Sequence, residues 1–455
     1  MPSTPTNRRY RRAARIVRRL HEAGYRALLA GGCVRDMLLG VEPKDYDIAT
    51  DAGPAEVMAL FEKTIPVGEQ FGVCRVRRDG TEYEVATFRS ESGYADGRHP
   101  DEVAFCDARR DALRRDFTVN AMFWDPVEEE LLDYVGGRQD LERGLIRAVG
   151  DPRERFQEDH LRLIRAVRFA ARLGFEIESE TRQAMCDLAH TIRLVSAERL
   201  QQELRIILTD RDPAGALRLM DRVGLLGMIF PEIEDMKGCE QPENYHPEGD
   251  VFVHTMLTVE KLGPYPGFEL AMAALLHDVG KPPAARKGGS KCFPNHLQIG
   301  ERMARRICRR LRLSNSETER ICWLVERHLY FKDAQNMRQS TLKRLFAEPG
   351  FEQLAEIHRA DALASWGNLE DYNYVMEQRE QLTEEEVEPP RLLTGDDLIE
   401  MGYKPGPLFG EVLEEVRDAQ LEGEVTTEQE AQTLARKKAE ELSSDRRDAE
   451  DAESG

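Results

Sequence analysis

The stretch Leu29-Ala-Gly-Gly-Cys-Val-Arg-Asp-Met-Leu-Leu-Gly-Val-Glu-Pro-Lys-Asp-Tyr-Asp-Ile-Ala-Thr50 decides how the first third of the chain is read. Apolar Ala27-Leu-Leu-Ala30 reads as a short buried strand ending on Gly31-Gly32, and Val34 to Leu39 opens a helix. A strand running into such a turn and then a helix lets backbone N–H groups approach a phosphate closely. Arg35, one turn in, adds a guanidinium suited to phosphate oxygens. Downstream, Asp45 and Asp47 are one residue apart on an extended segment, so both carboxylates point to one face. Two carboxylates beside a phosphate cradle are what Mg²⁺ needs to bridge a nucleotide and an attacking hydroxyl. Alone, an Asp-x-Asp pair reads as a solvated strand edge and a Gly-Gly pair as an ordinary turn. At this spacing they support each other.

Outward from that stretch, Val73-Cys-Arg-Val-Arg and Tyr83-Glu-Val-Ala-Thr-Phe alternate with period two around Asp79-Gly80, which predicts a hairpin. Asp111-Ala-Leu-Arg-Arg-Asp-Phe-Thr-Val-Asn120 sets adjacent arginines, an acid and an amide among apolar residues. Two readings of it stand: Arg115 holds a phosphate and Asp116 accepts from a ribose hydroxyl, or the segment is an ordinary salt-bridged helix start. Past residue 151 the pattern turns helical almost throughout, with Leu161, Ile164, Val167, Phe169 and Leu173 at helical spacing. Asp159, Arg162, Arg165 and Arg168 recur every three residues as a polar stripe beside the apolar one. Thr383 to Pro390 is acidic and carries two prolines, so it reads as a linker. A last helical segment follows it, and 436–455 reads as disordered from its composition.

These motifs, Gly-Gly-x-Val-Arg-Asp, Asp-x-Asp, Arg-Arg-Asp-Phe-Thr-x-Asn-Ala and Glu-Asp-x-x-Arg-x-x-Arg, resemble the class II tRNA nucleotidyltransferases. That family comprises the CCA-adding enzymes and the related bacterial poly(A) polymerases. The resemblance implies an α+β protein with a polymerase-β-like head (1–150), a helical neck (151–235) that binds nucleotide base and RNA, and a helical body and tail. It implies that Asp45 and Asp47 hold Mg²⁺, with Glu84 a candidate third carboxylate. Gly32, Arg35, Arg115, Asp159, Arg162, Arg165 and Arg168 would contact the incoming nucleotide. The implied reaction is template-free addition of C, C and A to tRNA 3′ ends from CTP and ATP, releasing pyrophosphate. An Asp159 carboxylate and an Arg162 guanidinium match the exocyclic amine and ring nitrogen of cytosine and adenine but repel the edge of uracil. Poly(A) or A-only addition is the alternative. Against it, Val67-Gly-Glu-Gln-Phe-Gly-Val lacks the basic Arg-Phe-containing segment of the poly(A) branch, and Glu91 to Pro100 retains the loop expected for full CCA addition.

A second constellation lies at 236–375. His254, His277-Asp278 in Leu275-Leu-His-Asp-Val-Gly-Lys281, His296, His328 and Asp361 are spread over helical segments. A lone histidine on an apolar helix is usually a packed residue; a His-Asp pair with spaced histidines and a later aspartate is harder to read that way. The pattern resembles the HD phosphohydrolase superfamily. By that resemblance His254, His277, Asp278 and Asp361 hold a divalent transition metal such as Ni²⁺, Mn²⁺ or Fe²⁺. His296 and His328 match the extra ligands of dinuclear members. Hydrolysis of nucleotides or cyclic phosphates is the implied activity, and a chain that is chiefly such a hydrolase is the competing function class. The tail (384–435) resembles that of HD-containing members.

Composition bounds these readings. The chain has 455 residues with 41% hydrophobic and 33% charged, enough for several soluble domains. No apolar run approaches the roughly 18 residues needed to span a bilayer. The formal charge of −20 argues at face value against a nucleic-acid partner. Its distribution reverses that: residues 384–455 hold 22 acids against 8 bases, while the first twenty hold seven arginines and no acid. Arg305, Arg306, Arg309, Arg310 and Arg312, with Lys343-Arg344 further on, are candidates for RNA contact. Eight cysteines with no Cys-x-x-Cys pair suggest reduced thiols and a cytoplasmic protein.

Overall fold

The computed structural model describes residues 7–66, 72–78, 80–92, 102–242, 249–288 and 293–453. Segment 67–71, Asp79 and most of the 91–100 loop, on which three of the sequence readings fall, lie outside the described residues. The fold is α+β, and the described chain separates into two compact units.

The first unit (1–237, 263–271 and 306–314) begins with the head. Helix α1 (Arg8–Glu22) is capped by the Asn7 side chain, which accepts from the Tyr10 N–H. Ala13, Ile16, Val17 and Leu20 are fully buried along one side, so its arginines point outward. The sheet is built from β1 (Ala27–Ala30), β2 (Asp47–Thr50), β3 (Thr64–Pro66), β4 (Val73–Arg78), β5 (Thr81–Thr87), and two later strands. A small hairpin, β6 (Arg89–Ser92) and β7 (Glu102–Phe105), stands apart, and β8 (Met122–Asp125) and β9 (Glu130–Asp133) complete the sheet. The strand order is β3-β4-β5-β2-β1-β8-β9. All neighbours are antiparallel except β2 and β5.

Register positions the chemistry. Ala30 at the end of β1 pairs with Asp47 at the start of β2, and Ile48 pairs with Val85 of β5. Asp47 therefore sits beside both the Gly31-Gly32 turn and Glu84. Alternation sends Tyr46, Ile48, Tyr83 and Val85 to the buried side, where Tyr46 meets Tyr10 of α1 edge-on at 5.9 Å. The carboxylates thus lie on the face opposite α1. Helices α2 (Gly32–Leu38), α3 (Pro54–Leu60), α4 (Ala108–Leu113) and α5 (Gly137–Arg143) complete the head. Then come α6 (Pro152–Glu158), α7 (Leu161–Leu173), α8 (Ser179–Leu188) and α9 (Ala197–Leu208).

The second unit (238–262, 272–305 and 315–455) is helical. Two sequence expectations are corrected in it. The supposed linker starts with a capped turn, Glu384–Val387, in which Thr383 and Glu386 bond reciprocally. Residues past 436 continue a helix, Glu428–Glu453, where disorder was read from composition. Ala431, Ala435 and Ala439 at i, i+4, i+8 are buried in a cluster with Val412 and Val416, and small apolar residues spaced among charges conceal that stripe from a compositional reading.

Gly280 of the His277-Asp-Val-Gly-Lys281 motif marks a close approach. A Cβ there would lie 2.1 Å from the His296 carbonyl oxygen and 2.6 Å from the Gly300 nitrogen, both backbone. Gly280→Ala should lower the unfolding free energy by about 3 kcal/mol, whereas Gly395→Ala, with open space around it, should be neutral or stabilising by about 0.5 kcal/mol. Urea denaturation of both variants checks this; equal stabilities would contradict the packing.

Candidate functional site

A cavity of about 510 Å³ in the first unit is lined by Gly32, Arg35, Asp47, Glu84, Arg115, Asp116, Asp159, Arg162 and Arg165, among others. Nine residues singled out from sequence are thereby brought together. Asp45 and Arg168 do not line it.

The cradle is as its composition implies. Gly31 has φ +75°, and a Cβ on it would press to 3.0 Å from Arg115 Nη1. Arg35 is buried and donates to Asp36 and, through Nη1 at 2.6 Å, to the Asn120 side-chain oxygen. Arg115 donates to Asp111 at 2.9 and 3.1 Å and to the Asn120 carbonyl oxygen. Both cations are fixed before any ligand enters, which is how preorganised phosphate sites work. Asp47 reaches solvent, yet the protein packed around it pushes its pKa up to about 6, the Glu84 and Asp45 carboxylates adding to the rise and Arg115 opposing it. That mutual repulsion is what a bound cation relieves. Among the described residues these three carboxylates are not gathered within 4.8 Å as a full ligand cage. One or two carboxylates completed by water and phosphate oxygens suffice for Mg²⁺, so the donors fit that ion.

The opposite wall comes from the helices. Asp116 accepts from Arg165 Nε and Nη2 at 3.0 and 2.6 Å, and from the Phe117 N–H. Burial alone would raise its pKa, but the Arg165 charge and these hydrogen bonds outweigh it and hold the carboxyl at about 2. One of its oxygens is thereby committed to an arginine, while the residue still lines the cavity for which a ribose contact was expected. Asp159 is not on the stripe helix; it ends α6 in extended conformation, and its carboxylate is gripped by Arg199 of α9 at 2.8 and 3.1 Å. Arg162 is buried and donates to Glu158 and to the carbonyls of Arg155 and Arg114. Arg168 does not line the cavity; it is paired with Glu203 at 3.0 Å and stacked on Phe169. Arg199 and Glu203 went unnoticed in the sequence, where they are only an i, i+4 charge pair.

Five of the RNA-contact candidates are bonded within the protein. Arg305 bonds Glu301 and Glu319, Arg310 bonds Glu232, and Arg312 bonds Glu198. Lys343 donates to the Leu421 carbonyl, and Arg344 bonds Glu414 and Asp418. These five side chains fasten helices.

In the second unit, two triads share one aspartate: His254, His277 and Asp278, and Asp278, His296 and His328, each with ligand atoms within 4.8 Å. Asp361 joins them, 2.8 Å from His254 Nε2 and 3.9 Å from His277 Nε2. Nδ1 of His277, His296 and His328 each meets the carbonyl three residues back, at 2.8 to 3.0 Å. A carbonyl only accepts, so Nδ1 carries the proton and Nε2 presents its lone pair to the cluster. Burial, and then the neighbouring His277 ring, hold His328 down at about 3. His277 Nε2, His296 Nε2 and both Asp278 oxygens are buried without a well-formed hydrogen bond, although Lys281 Nζ lies 2.6 Å from one of those oxygens. Orphaned atoms of this kind are expensive unless an ion satisfies them. Nitrogen and carboxylate donors together fit a divalent transition metal.

Residues 27–147 match the poly A polymerase head domain, 174–237 a probable RNA and SrmB-binding site of polymerase A, and 292–433 a putative tRNA nucleotidyltransferase domain 2. The CCA-adding enzyme of Bacillus pumilus is 49% identical over 215 residues, covering 47% of this chain and 54% of that protein. That of Lactiplantibacillus plantarum is 44% identical over 209 residues, 46% and 51% of the two chains. The chain thus spans about half the length of the curated relatives it matches. The Bacillus stearothermophilus CCA-adding enzyme in complex with CTP superposes with TM-score 0.73 at 27% identity, over 96% of this chain and 100% of that one. The Thermotoga maritima enzyme complexed with tRNA superposes with TM-score 0.63 at 20% identity over 97% of each, which speaks to fold alone.

Arg165→Met leaves the Asp116 carboxylate unpaired. It should cost about 2 kcal/mol at pH 7, below the range for fully buried pairs because Arg165 is partly exposed. Asp116 has a depressed pKa, so its contribution is present above about 4 and disappears as pH falls toward 2. The stability gap between variant and parent should therefore close across that window in acid titrations of urea unfolding. A gap independent of pH would refute the pairing. By sequence the chain is similar in its head to the poly A polymerase head domains, and its fold over nearly the whole length is that of the CCA-adding enzymes.

Proposed function

We propose that the chain is a nucleotidyltransferase that adds C, C and A to tRNA 3′ ends from CTP and ATP. One observation carries this reading: Asp47 and Glu84 stand on one side of a single cavity with the Gly31-Gly32, Arg35 and Arg115 cradle, and Asp159 and Arg162 on the other. Carboxylates and phosphate cradle serve the transfer, while the Asp159–Arg162 wall has the donors and acceptor to read a base edge. Asp45 and Asp47 would hold Mg²⁺, which would supply charge neutralisation for attack of a 3′-hydroxyl on an α-phosphate with departure of pyrophosphate. The chain's own part is positioning. Arg35 and Arg115, locked by Asp36, Asn120 and Asp111, hold the triphosphate oxygens. The Asp159 carboxylate, turned by Arg199, accepts from an exocyclic amine as one of its oxygens exchanges an Arg199 bond for the base. Arg162 donates to the adjacent ring nitrogen. The names of the similar proteins favour CCA over poly(A) addition.

The second unit supports a further activity, hydrolysis of a phosphoester by the His254, His277, Asp278, His296, His328 and Asp361 cluster. A transition metal there supplies water activation when bound; the carbonyl-fixed histidines supply the lone pairs that hold it.

With tRNA lacking its 3′ end, labelled CTP and ATP, and Mg²⁺, the protein should extend the RNA by three nucleotides; a long homopolymer would establish the poly(A) alternative. Asp47→Ala should abolish incorporation. Asp159→Ala should retain transfer but lose about 1–3 kcal/mol of discrimination against UTP and GTP. Unchanged preference in that variant would remove the carboxylate from base reading. His277→Ala should remove both transition-metal content, measured on the purified protein, and hydrolysis of 2′,3′-cyclic phosphate ends; a variant that keeps its metal would overturn the assignment.

A further inference from the structure

On the face of the head opposite the carboxylates, α1 carries a stripe that the site does not use. Arg8, Arg11, Arg15 and Arg18 recur at i, i+3, i+7 and i+10, so they share one side of the helix, and all four are exposed. At a rise of about 1.5 Å per residue they form a track about 15 Å long. Its end opens into a groove of about 560 Å³ lined by Arg15, Arg18, Arg19, Lys63, Arg77 and Arg78, with Glu22, Glu62, Leu60, Phe61 and Val76 between them. Six cations against two carboxylates leave it strongly positive.

This concentration is unusual within the molecule. Many arginines elsewhere are matched to acids, as in Arg153–Asp187, Arg310–Glu232, Arg312–Glu198, Arg344–Asp418 and Arg359–Glu356. Here Arg8, Arg11, Arg15, Arg18, Lys63 and Arg78 have no carboxylate within ion-pair distance among the described residues, and only Arg19 reaches one, Glu22, at 3.7 Å. Glu62, also on the groove wall, makes no ion pair with Arg78 among the described residues. In a chain with 84 acids and 64 bases, neutralising such a cluster required no more than one or two ordinary substitutions. Left bare, it repels itself until an anion arrives.

We propose that this track and groove bind the phosphate backbone of a single-stranded RNA segment, at a site separate from the catalytic cavity. The length of the track suits a polymer, since a lone phosphate would engage only one or two guanidiniums. Arginine predominates, and its planar fork pairs phosphate oxygens in two-point contacts. Phe61 on the groove wall offers a ring for a base to stack on, and basic walls with an aromatic ring are the composition of single-strand sites. A membrane surface is disfavoured because the apolar residues of α1 are already spent on the sheet, leaving none to insert into lipid. The choice of RNA rests on the reading of the chain as an enzyme of RNA 3′ ends; the positive charge does not.

The test uses the full chain and a fluorescein-labelled oligouridine of about a dozen nucleotides, titrated by anisotropy from about 50 to 300 mM KCl. Arg15→Glu/Arg18→Glu/Arg78→Glu should lower the slope of log affinity against log salt by about 2, at roughly 0.7 per lost phosphate contact. Arg15→Lys/Arg18→Lys/Arg78→Lys should keep the slope, and Phe61→Ala should weaken binding about tenfold without altering it. The triple alanine variant, with its helix content checked by circular dichroism, guards against a folding defect. Incorporation of CMP into a short acceptor hairpin is measured in parallel and should be unchanged in all of them. Unaltered affinity and salt slope in the reversal variant would overturn the proposal, as would a groove that binds an acidic polypeptide such as polyglutamate more tightly than RNA. A parent protein that fails to incorporate CMP yet shows the predicted slope change would sink the enzymatic reading and leave the groove standing.

Discussion

The Asp116 carboxylate accepts two bonds from Arg165 on α7, and its other oxygen lies 3.3 Å from the Asn120 amide, whose oxygen in turn accepts from Arg35 at 2.6 Å. Through this one acid the Gly31-Gly32 and Arg35 cradle at the start of α2 is tied to α7 on the other wall of the cavity. The distance between triphosphate and base-edge groups must be constant if an enzyme is to choose a base without a template, because the ligand has no other reference. A buried, arginine-paired carboxylate is a stiff joint: neither partner moves without leaving an uncompensated charge. Phe169 adds to it by presenting its ring to Arg35, Arg165 and Arg168 at once.

The same economy explains what the sequence disclosed and what it hid. Gly31, Gly32 and Asp47 could be singled out in the sequence because their chemistry is local: a turn requiring positive φ, and an acid at the start of the neighbouring strand; Asp45 precedes β2 and does not line the cavity. The histidine cluster was legible for a related reason. Each of His277, His296 and His328 uses the carbonyl three residues back to fix its tautomer, so each ligand brings its own support within one helical turn. What stayed hidden is long-range pairing. Nothing within forty residues of Asp159 announces Arg199, and nothing in Arg168 says that Glu203 has claimed it. An arginine stripe looks the same in sequence whether it holds phosphates or helices. Arg162 and Arg165 line the cavity while Arg168, one turn on, does not; Arg310 and Arg312 fasten the helical segments of their own unit.

The fold was legible at the level of class and order of segments and less so at its margins. Alternation found β4 and β5 but could not show that β5 runs parallel to β2, the pairing that brings Glu84 beside Asp47. Composition misread the last helix because its buried residues are alanines among glutamates and lysines. Those alanines pack without contributing enough hydrophobicity to stand out, and Lys438 pairs with Glu415 and Glu441 to stabilise the exposed side.

Two donor sets of different hardness in one chain also constrain how metals are sorted. The head presents carboxylates in reach of solvent, a set that binds Mg²⁺ weakly and leaves most of its shell to water and phosphate. The second unit presents four imidazoles and two carboxylates, four of the six buried and three of the imidazoles fixed in direction by backbone carbonyls. First-row transition ions prefer such nitrogen sites, and Mg²⁺ does not give up its water for them. The two centres therefore need no selectivity device beyond their ligands. On the proposed reading, a transition ion at trace level would go to the histidines, and the abundant hard ion would occupy the head once a triphosphate completed its coordination. That separation would let one polypeptide combine a centre that makes phosphodiester bonds with one suited to breaking them.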